Sequence, residues 1–141
     1  MNTILIIDDE AKIRSLLSRI ISLEGFQVFE ASNLKAGLKR LELSDIEIVI
    51  CDVKLPDGNG VELSKIVKEK FPFVEIILLT AFGNIPDGVM AIKNGAFDYI
   101  VKGDDNDKII PLLYKALEKV QLQKKVKQLE KRISDKYSFD G

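Results

Sequence analysis

The 141-residue chain has no histidine, no tryptophan and a single cysteine, Cys51. Without histidine it lacks the commonest zinc ligand and the usual general base, so any histidine chemistry must come from another molecule. One cysteine excludes an internal disulfide framework. Cys51 closes the apolar run Ile48-Val49-Ile50-Cys51, which predicts an inert core thiol. No apolar run approaches the roughly 18 residues needed to span a bilayer, and the N-terminus lacks the basic, apolar, small-residue order of a secretion signal. The expectation is a cytoplasmic protein with no membrane partner. Neither a glycine-rich nor a Ser/Thr-rich phosphate loop follows the first apolar run, which argues against a flavin or nucleotide site.

Apolar residues make up 46% of the chain, enough to core one domain with an appendage. The formal net charge of −1 hides an uneven distribution, because residues 108–136 carry nine Lys/Arg against three Asp/Glu. The tail is basic and the body acidic. In the tail, however, charges alternate with apolar positions at helical spacing, and no aromatic interleaves them. That pattern predicts a solvated helix face and no direct nucleic-acid contact.

Along the body, strands and helices alternate. Thr3–Ile7 reads as a buried strand, and Ile13, Leu16, Leu17, Ile20 and Ile21 then recur at helical spacing until Glu24-Gly25. Gln27–Ala31 is a second strand, and Ser32-Asn33 caps a helix carrying Leu34, Leu38 and Leu41. Residues 46–51 form a third strand, followed by a turn-rich stretch, 55–60, and a helix with Val61, Leu63, Ile66 and Val67. Residues 75–79 are the fourth strand. Asn84-Ile85-Pro86 opens a helix expected to turn Val89, Met90 and Ile92 inward before Asn94-Gly95, and 99–101 is the fifth strand. This alternation requires right-handed crossovers and a parallel sheet covered on both faces. The predicted fold is α/β: a flavodoxin-like, three-layer sandwich whose five-stranded parallel sheet runs in the order 2-1-3-4-5. An extended C-terminal helix follows, whose first stripe (Leu113, Leu117, Val120) packs on the sheet. A second, heptad-spaced stripe (Leu122, Val126, Leu129, Ile133) needs a partner.

Loaded residues stand at the strand ends: Asp8 and Asp9 after the first, Asp52 after the third, Thr80 after the fourth, Lys102 after the fifth. In a parallel sheet these ends share one edge, and in the order 2-1-3-4-5 the first and third strands are neighbours. Two carboxylates about 4 Å apart at an effective dielectric near 20 repel by on the order of 4 kcal/mol before screening. Only a cation, a lysine or protonation offsets that. Magnesium fits, with Asp9 and Asp52 as direct ligands, Asp8 acting through water and the backbone carbonyl of Lys54 completing the set. Asp52 would then attack a phosphoryl group in line, while Thr80 binds one phosphoryl oxygen and Lys102 neutralises another. A magnesium phosphohydrolase is the enzymatic rival. Such enzymes carry a second aspartate two residues beyond the nucleophile, where this chain has Ala11 or Lys54.

The motifs Ile7-Asp8-Asp9-Glu10, Cys51-Asp52-Val53-Lys54-Leu55-Pro56 with Gly60, Leu79-Thr80-Ala81, and Gly95-Ala96-Phe97-Asp98-Tyr99 followed by Lys102 resemble the CheY-like receiver domain of two-component response regulators, over residues 1–120. The resemblance implies a signalling domain, not a conventional enzyme. It would accept a phosphoryl group on Asp52 from the phosphohistidine of a sensor histidine kinase, catalysing its own phosphorylation and slow dephosphorylation. It also implies that Thr80 and Tyr99 form a switch which alters the face of the fourth helix, fifth strand and fifth helix, a face for homodimerisation. One departure is Gly103 where the family has a cis proline, followed by Asp104-Asp105; this leaves a phosphorylation-independent interaction module of the same fold as the alternative. Pro111, early in the last helix, is a candidate bend. Residues 121–141, a basic heptad helix ending in Tyr137-Ser138-Phe139-Asp140-Gly141, are similar to the coiled-coil linker and AAA+ threshold of nitrogen-regulation-type activators of sigma-54 RNA polymerase. In that case the AAA+ and DNA-binding domains lie outside this chain.

Overall fold

The structure, a computed structural model, describes residues 2–81, 85–103 and 106–136. In chain order the elements are β1 (Thr3–Ile7), α1 (Ala11–Leu23), β2 (Gln27–Ala31), α2 (Leu34–Leu43), β3 (Ile48–Asp52), β4 (Lys54–Leu55), β5 (Gly58–Asn59), α3 (Gly60–Lys70), β6 (Glu75–Thr80), α4 (Ile85–Lys93), β7 (Asp98–Val101) and α5 (Ile109–Lys136). Five of the strands form one parallel sheet in the order β2-β1-β3-β6-β7. This is the predicted 2-1-3-4-5 order, with β6 and β7 as its fourth and fifth members. The remaining pair, β4 and β5, is a small antiparallel hairpin within the stretch expected to be only a turn.

Every residue of β1, β3 and β6 is buried. Side chains alternate across a strand, so each of these β-branched runs feeds two cores at once. Ile4, Ile6, Ile48, Ile50, Ile77 and Leu79 meet Leu17 and Ile21 of α1 and Leu113, Leu117 and Val120 of α5. Their neighbours Leu5, Ile7, Val49, Cys51, Ile76 and Leu78 meet Leu41, Leu63, Val67 and Ala91 on the other face. The third strand starts at Ile48, two residues later than expected, although Ile46 is still buried. Cys51 is fully buried, and burial pushes its thiol pKa well above the usual value, so the core-thiol reading holds.

α4 departs from the expectation. Val89, Met90 and Ile92 are 42%, 51% and 40% exposed, and Ala91 between them is fully buried. The small side chain lets the helix backbone sit close to the sheet, which leaves its larger neighbours on the outside. Leu16 of α1 is likewise exposed although it falls on the apolar stripe. α5 is one continuous helix of 28 residues. Pro111 occupies its first turn, where a missing N–H costs no intrahelical bond, so no bend is needed. The expected cap at Asn84, the Asp104-Asp105 pair and residues 137–141 lie outside the described residues.

The hairpin ties two helix starts together. Asn33 accepts from Ala36 N–H at 2.8 Å, and Asp57 at the hairpin tip adds two more caps to α2 by accepting from Leu34 N–H (2.8 Å) and Lys35 N–H (3.0 Å). Those bonds hold the Asp57 carboxyl below the usual carboxylate range. Asn59 caps α3 through Glu62 N–H at 2.8 Å. At the opposite, N-terminal edge of the sheet, the buried Glu75 joins α3 and α5 by ion pairs to Lys68 and to Lys119, the latter at 2.6 Å.

Gly60 is required where α3 crosses the end of β3. A Cβ there would stand 2.3 Å from Leu78 Cδ1 and 2.8 Å from the backbone oxygen of Asp52. The second contact is with main chain, which cannot rotate away. Gly60→Ala is therefore expected to destabilise the domain by about 1–3 kcal/mol, read as a lower urea midpoint at unchanged m-value.

Candidate functional site

β1 and β3 lie side by side, so the chain leaves both at the same place. Asp8, fully buried, still pairs through its N–H with Ala31 O at 3.0 Å before the chain turns. Its Oδ1 then accepts from Glu10 N–H at 2.9 Å. Asp52 is the last residue of β3 and is also buried; its Oδ1 accepts from Lys54 N–H at 3.2 Å. Lys102 follows β7, and its main chain is pinned by Lys102 N–H to Thr80 O at 2.9 Å.

The Lys102 ammonium is the hub. It lies 2.6 Å from Asp52 Oδ2, 3.0 Å from Glu10 Oε1 and 3.1 Å from Asp8 Oδ2. Burial works against the ammonium, but the hydrogen bonds to Asp52 and Glu10 and the charges of Asp52 and Asp8 outweigh it, and the lysine pKa is raised. For Asp8, burial pushes the carboxyl upward; the Glu10 N–H and Lys102 oppose this, and the Asp52 charge adds to it. Gly103 takes φ +84°, a left-handed conformation closed to proline. With that loop in place, Lys102 still reaches Asp52.

Oxygens of Asp8, Glu10 and Asp52 all lie within 4.8 Å of one another. Three carboxylates against one ammonium leave two formal negative charges unbalanced. Asp8 Oδ2 is buried, and its one polar neighbour among the described residues is the Lys102 ammonium at 3.1 Å, shared with Asp52 and Glu10. An all-oxygen, doubly negative cluster whose three carboxylates share a single ammonium fits a hard divalent cation such as Mg2+. Asp9 stands outside that group, exposed at the rim, and its carboxylate has no ion pair or hydrogen bond among the described residues.

Thr80 ends β6 and is fully buried, with its hydroxyl donating to Ala81 O at 3.1 Å. Tyr99 in β7 is half-buried against the core on the α3 and α4 side. Lys54 brings its N–H to Asp52 and pairs with Asn59 in the hairpin. Glu10 went unassigned by sequence reasoning. With α1 beginning at Ala11, Glu10 is the N-cap, yet its side chain makes no capping bond and turns to Lys102 instead.

Because its pKa is raised, Asp8 holds a proton in the folded state at pH values where the unfolded chain has lost it. Its contribution to stability is therefore full below the unfolded pKa and falls as pH rises through the folded pKa. In chelator-containing buffer at a pH above the folded Asp8 pKa, Asp8→Asn is expected to melt a few degrees above the wild type. The gap should close as the pH drops below the folded Asp8 pKa, where wild-type Asp8 is itself neutral.

Comparison with known proteins agrees with this geometry. The response regulator receiver domain family matches residues 4–127. A putative NtrX-like response regulator of Rickettsia felis is 35% identical over 140 residues, which is 98% of this chain and 30% of the relative. The crystal structure of NtrX from Brucella abortus in complex with ADP superposes with a TM-score of 0.85 at 31% identity, covering 92% of this chain and 30% of that one. The beryllofluoride-activated NtrC4 receiver domain dimer, solved in solution, gives 0.79 at 31% identity, covering 85% and 99%. The chain thus spans about three-tenths of the curated relatives it matches. With its sheet order, its acidic edge and the lysine that closes it, the chain belongs to the response regulator receiver domain family and is similar to regulators of the NtrX and NtrC type.

Proposed function

We propose that this chain is a phosphorylation-controlled receiver in which Asp52 takes a phosphoryl group from the phosphohistidine of a sensor histidine kinase. The observation that carries this reading is the Lys102 ammonium 2.6 Å from Asp52 Oδ2, inside a cluster two negative charges in excess. A carboxylate held at a strand end beside an ammonium is a poised nucleophile. As its oxygen bonds to phosphorus, the donor's P–N bond breaks and the imidazole leaves. The absence of histidine from this chain fits a donor in another molecule.

Asp9 and Asp52 are the direct metal ligands in this reading, Asp8 acts through water, and the backbone carbonyl of Lys54 completes the set. Asp9 is suited to that part because its carboxylate is unengaged, whereas Glu10 is occupied by Lys102. Bound Mg2+ supplies charge neutralisation to the phosphoryl oxygens. Lys102 moves from the carboxylates to a phosphoryl oxygen. Thr80 turns its hydroxyl from Ala81 O to another, and the half-buried Tyr99 ring follows into the space released.

Residues 1–120 act as the receiver and 121–141 as the linker to an AAA+ output domain of a sigma-54-type activator, with a DNA-binding domain beyond. Homodimerisation uses the face of α4, β7 and α5 together with the linker seam. The exposed Val89, Met90 and Ile92 on α4, and the exposed Leu122, Val126, Leu129 and Ile133 on α5, support that surface. No described helix is long and apolar enough to cross a membrane, in keeping with a cytoplasmic regulator.

Incubation with Mg2+ and a small acyl phosphate or phosphoramidate tests the acceptor. Intact mass should rise by one phosphoryl group for the wild type and stay unchanged for Asp52→Asn; an unchanged wild type would refute the reading. Mg2+ at millimolar concentration should also raise the melting temperature, and less so for Asp52→Asn. For the linker, Val126→Glu with Leu129→Glu is expected to weaken self-association in analytical ultracentrifugation without changing the melting temperature of the domain.

A further inference from the structure

The end of β1 is held from outside the acidic cluster. The Asp8 carbonyl accepts a charge-assisted hydrogen bond of 2.6 Å from Arg14 Nη1, and Arg14 Nε in turn meets Glu30 Oε1 of β2 at 3.1 Å. One guanidinium thereby joins α1, the edge strand and the peptide that links Asp8 to Asp9. The fork shape of arginine suits this, since two of its N–H groups are committed in fixed directions to two different elements.

We infer that Arg14, braced by Glu30, is a positioning residue that sets the Asp8-Asp9 main chain, and with it both carboxylates, in the cation-binding arrangement. This rests on the metal reading proposed above. Asp8 is fixed at four points: its N–H on Ala31 O, its carboxylate on Glu10 N–H, the same carboxylate on the Lys102 ammonium at 3.1 Å, and its carbonyl on Arg14. The first two belong to the strand and to the local turn. Of these, only the Arg14 bond is made by a side chain to the Asp8 carbonyl, and it acts on the peptide whose tilt determines where Asp9 projects.

Charge and position predict opposite signs, which makes the inference testable. A positive charge near an acidic cluster repels a cation, so on electrostatics alone removal of Arg14 tightens Mg2+ binding. If Arg14 positions the main chain, its removal weakens binding. Calorimetric titration of the full chain with Mg2+ alone, for wild type, Arg14→Ala, Arg14→Lys and Glu30→Gln, separates the two.

The expected result is a Kd about tenfold weaker for Arg14→Ala. Arg14→Lys should recover part of the loss, because an ammonium still donates to the carbonyl. Glu30→Gln should show a smaller loss, with the bracing bond weakened and the charge on Arg14 kept. In metal-free buffer, hydrogen exchange at the Asp9 and Glu10 amides should already be faster in Arg14→Ala. Unchanged or tighter binding by Arg14→Ala, or unaltered exchange at those amides, overturns the inference. Should Arg14→Ala not fold, the charge-conserving Arg14→Lys titration decides, equal affinity to wild type counting against it. A wild type that does not bind Mg2+ refutes the metal reading itself, and so fails at a different step.

Discussion

Lys102 holds together an edge that electrostatics would otherwise open. Asp8, Glu10 and Asp52 converge at the C-terminal end of the sheet, and at such separations each like pair repels by several kcal/mol before screening. One ammonium within 3.1 Å of all three makes the cluster tolerable without making it neutral. Glu75 at the other edge offers the contrast, since there one buried carboxylate has two lysines. The same sheet thus over-compensates negative charge at one end and under-compensates it at the other. A deficit of that kind is what a site for a divalent cation and a phosphoryl group requires, and its cost falls on folding stability.

The topology produces the deficit. Parallel pairing of β1 with β3 puts Asp8 beside Asp52. Pairing of β6 with β7 brings Lys102 over Thr80, and the left-handed Gly103 then turns the chain away behind it. Local preferences yield to this arrangement. Glu10 occupies the N-cap of α1 but gives up capping for Lys102, and Asp8 is buried with one oxygen met only by the shared Lys102 ammonium. α2, by contrast, receives caps from two side chains, Asn33 and Asp57. Local rules are broken next to the acidic edge and satisfied away from it, the distribution expected when strain is concentrated at a functional site.

That distribution also explains what could be read from the sequence. β1, β3 and β6 were legible because strands buried on both faces need uninterrupted β-branched runs, and strand ends are where parallel sheets gather their chemistry. Asp8, Asp52 and Lys102 followed from that rule. Glu10 and Arg14 did not, because the partner of Glu10 lies 92 residues away and Arg14 acts on a main-chain carbonyl, which no residue type marks. The hairpin of β4 and β5 was obscured for a similar reason: Asp57 reads as an ordinary turn residue until α2 is seen to start on it. In α4 the hydrophobic pattern misled, because the buried position is an alanine and close backbone approach leaves no trace in side-chain hydropathy.

The same bonds bear on how the acidic edge can communicate with the tail. α5 runs without interruption from Ile109 to Lys136, roughly 42 Å at 1.5 Å per residue. Its first part is locked to the sheet by Leu113, Leu117 and Val120, and Glu75 grips Lys119 just before the helix leaves the domain. A helix clamped at both ends of its packed segment cannot absorb a change by bending there. Any rearrangement of β7 against α5 must therefore tilt or rotate the helix as a body, and a small angle at the root becomes a displacement of several ångströms along the exposed Leu122, Val126, Leu129 and Ile133 seam. Stiffness of α5, rather than flexibility, is what would let a change at the sheet edge register at the far end of the helix.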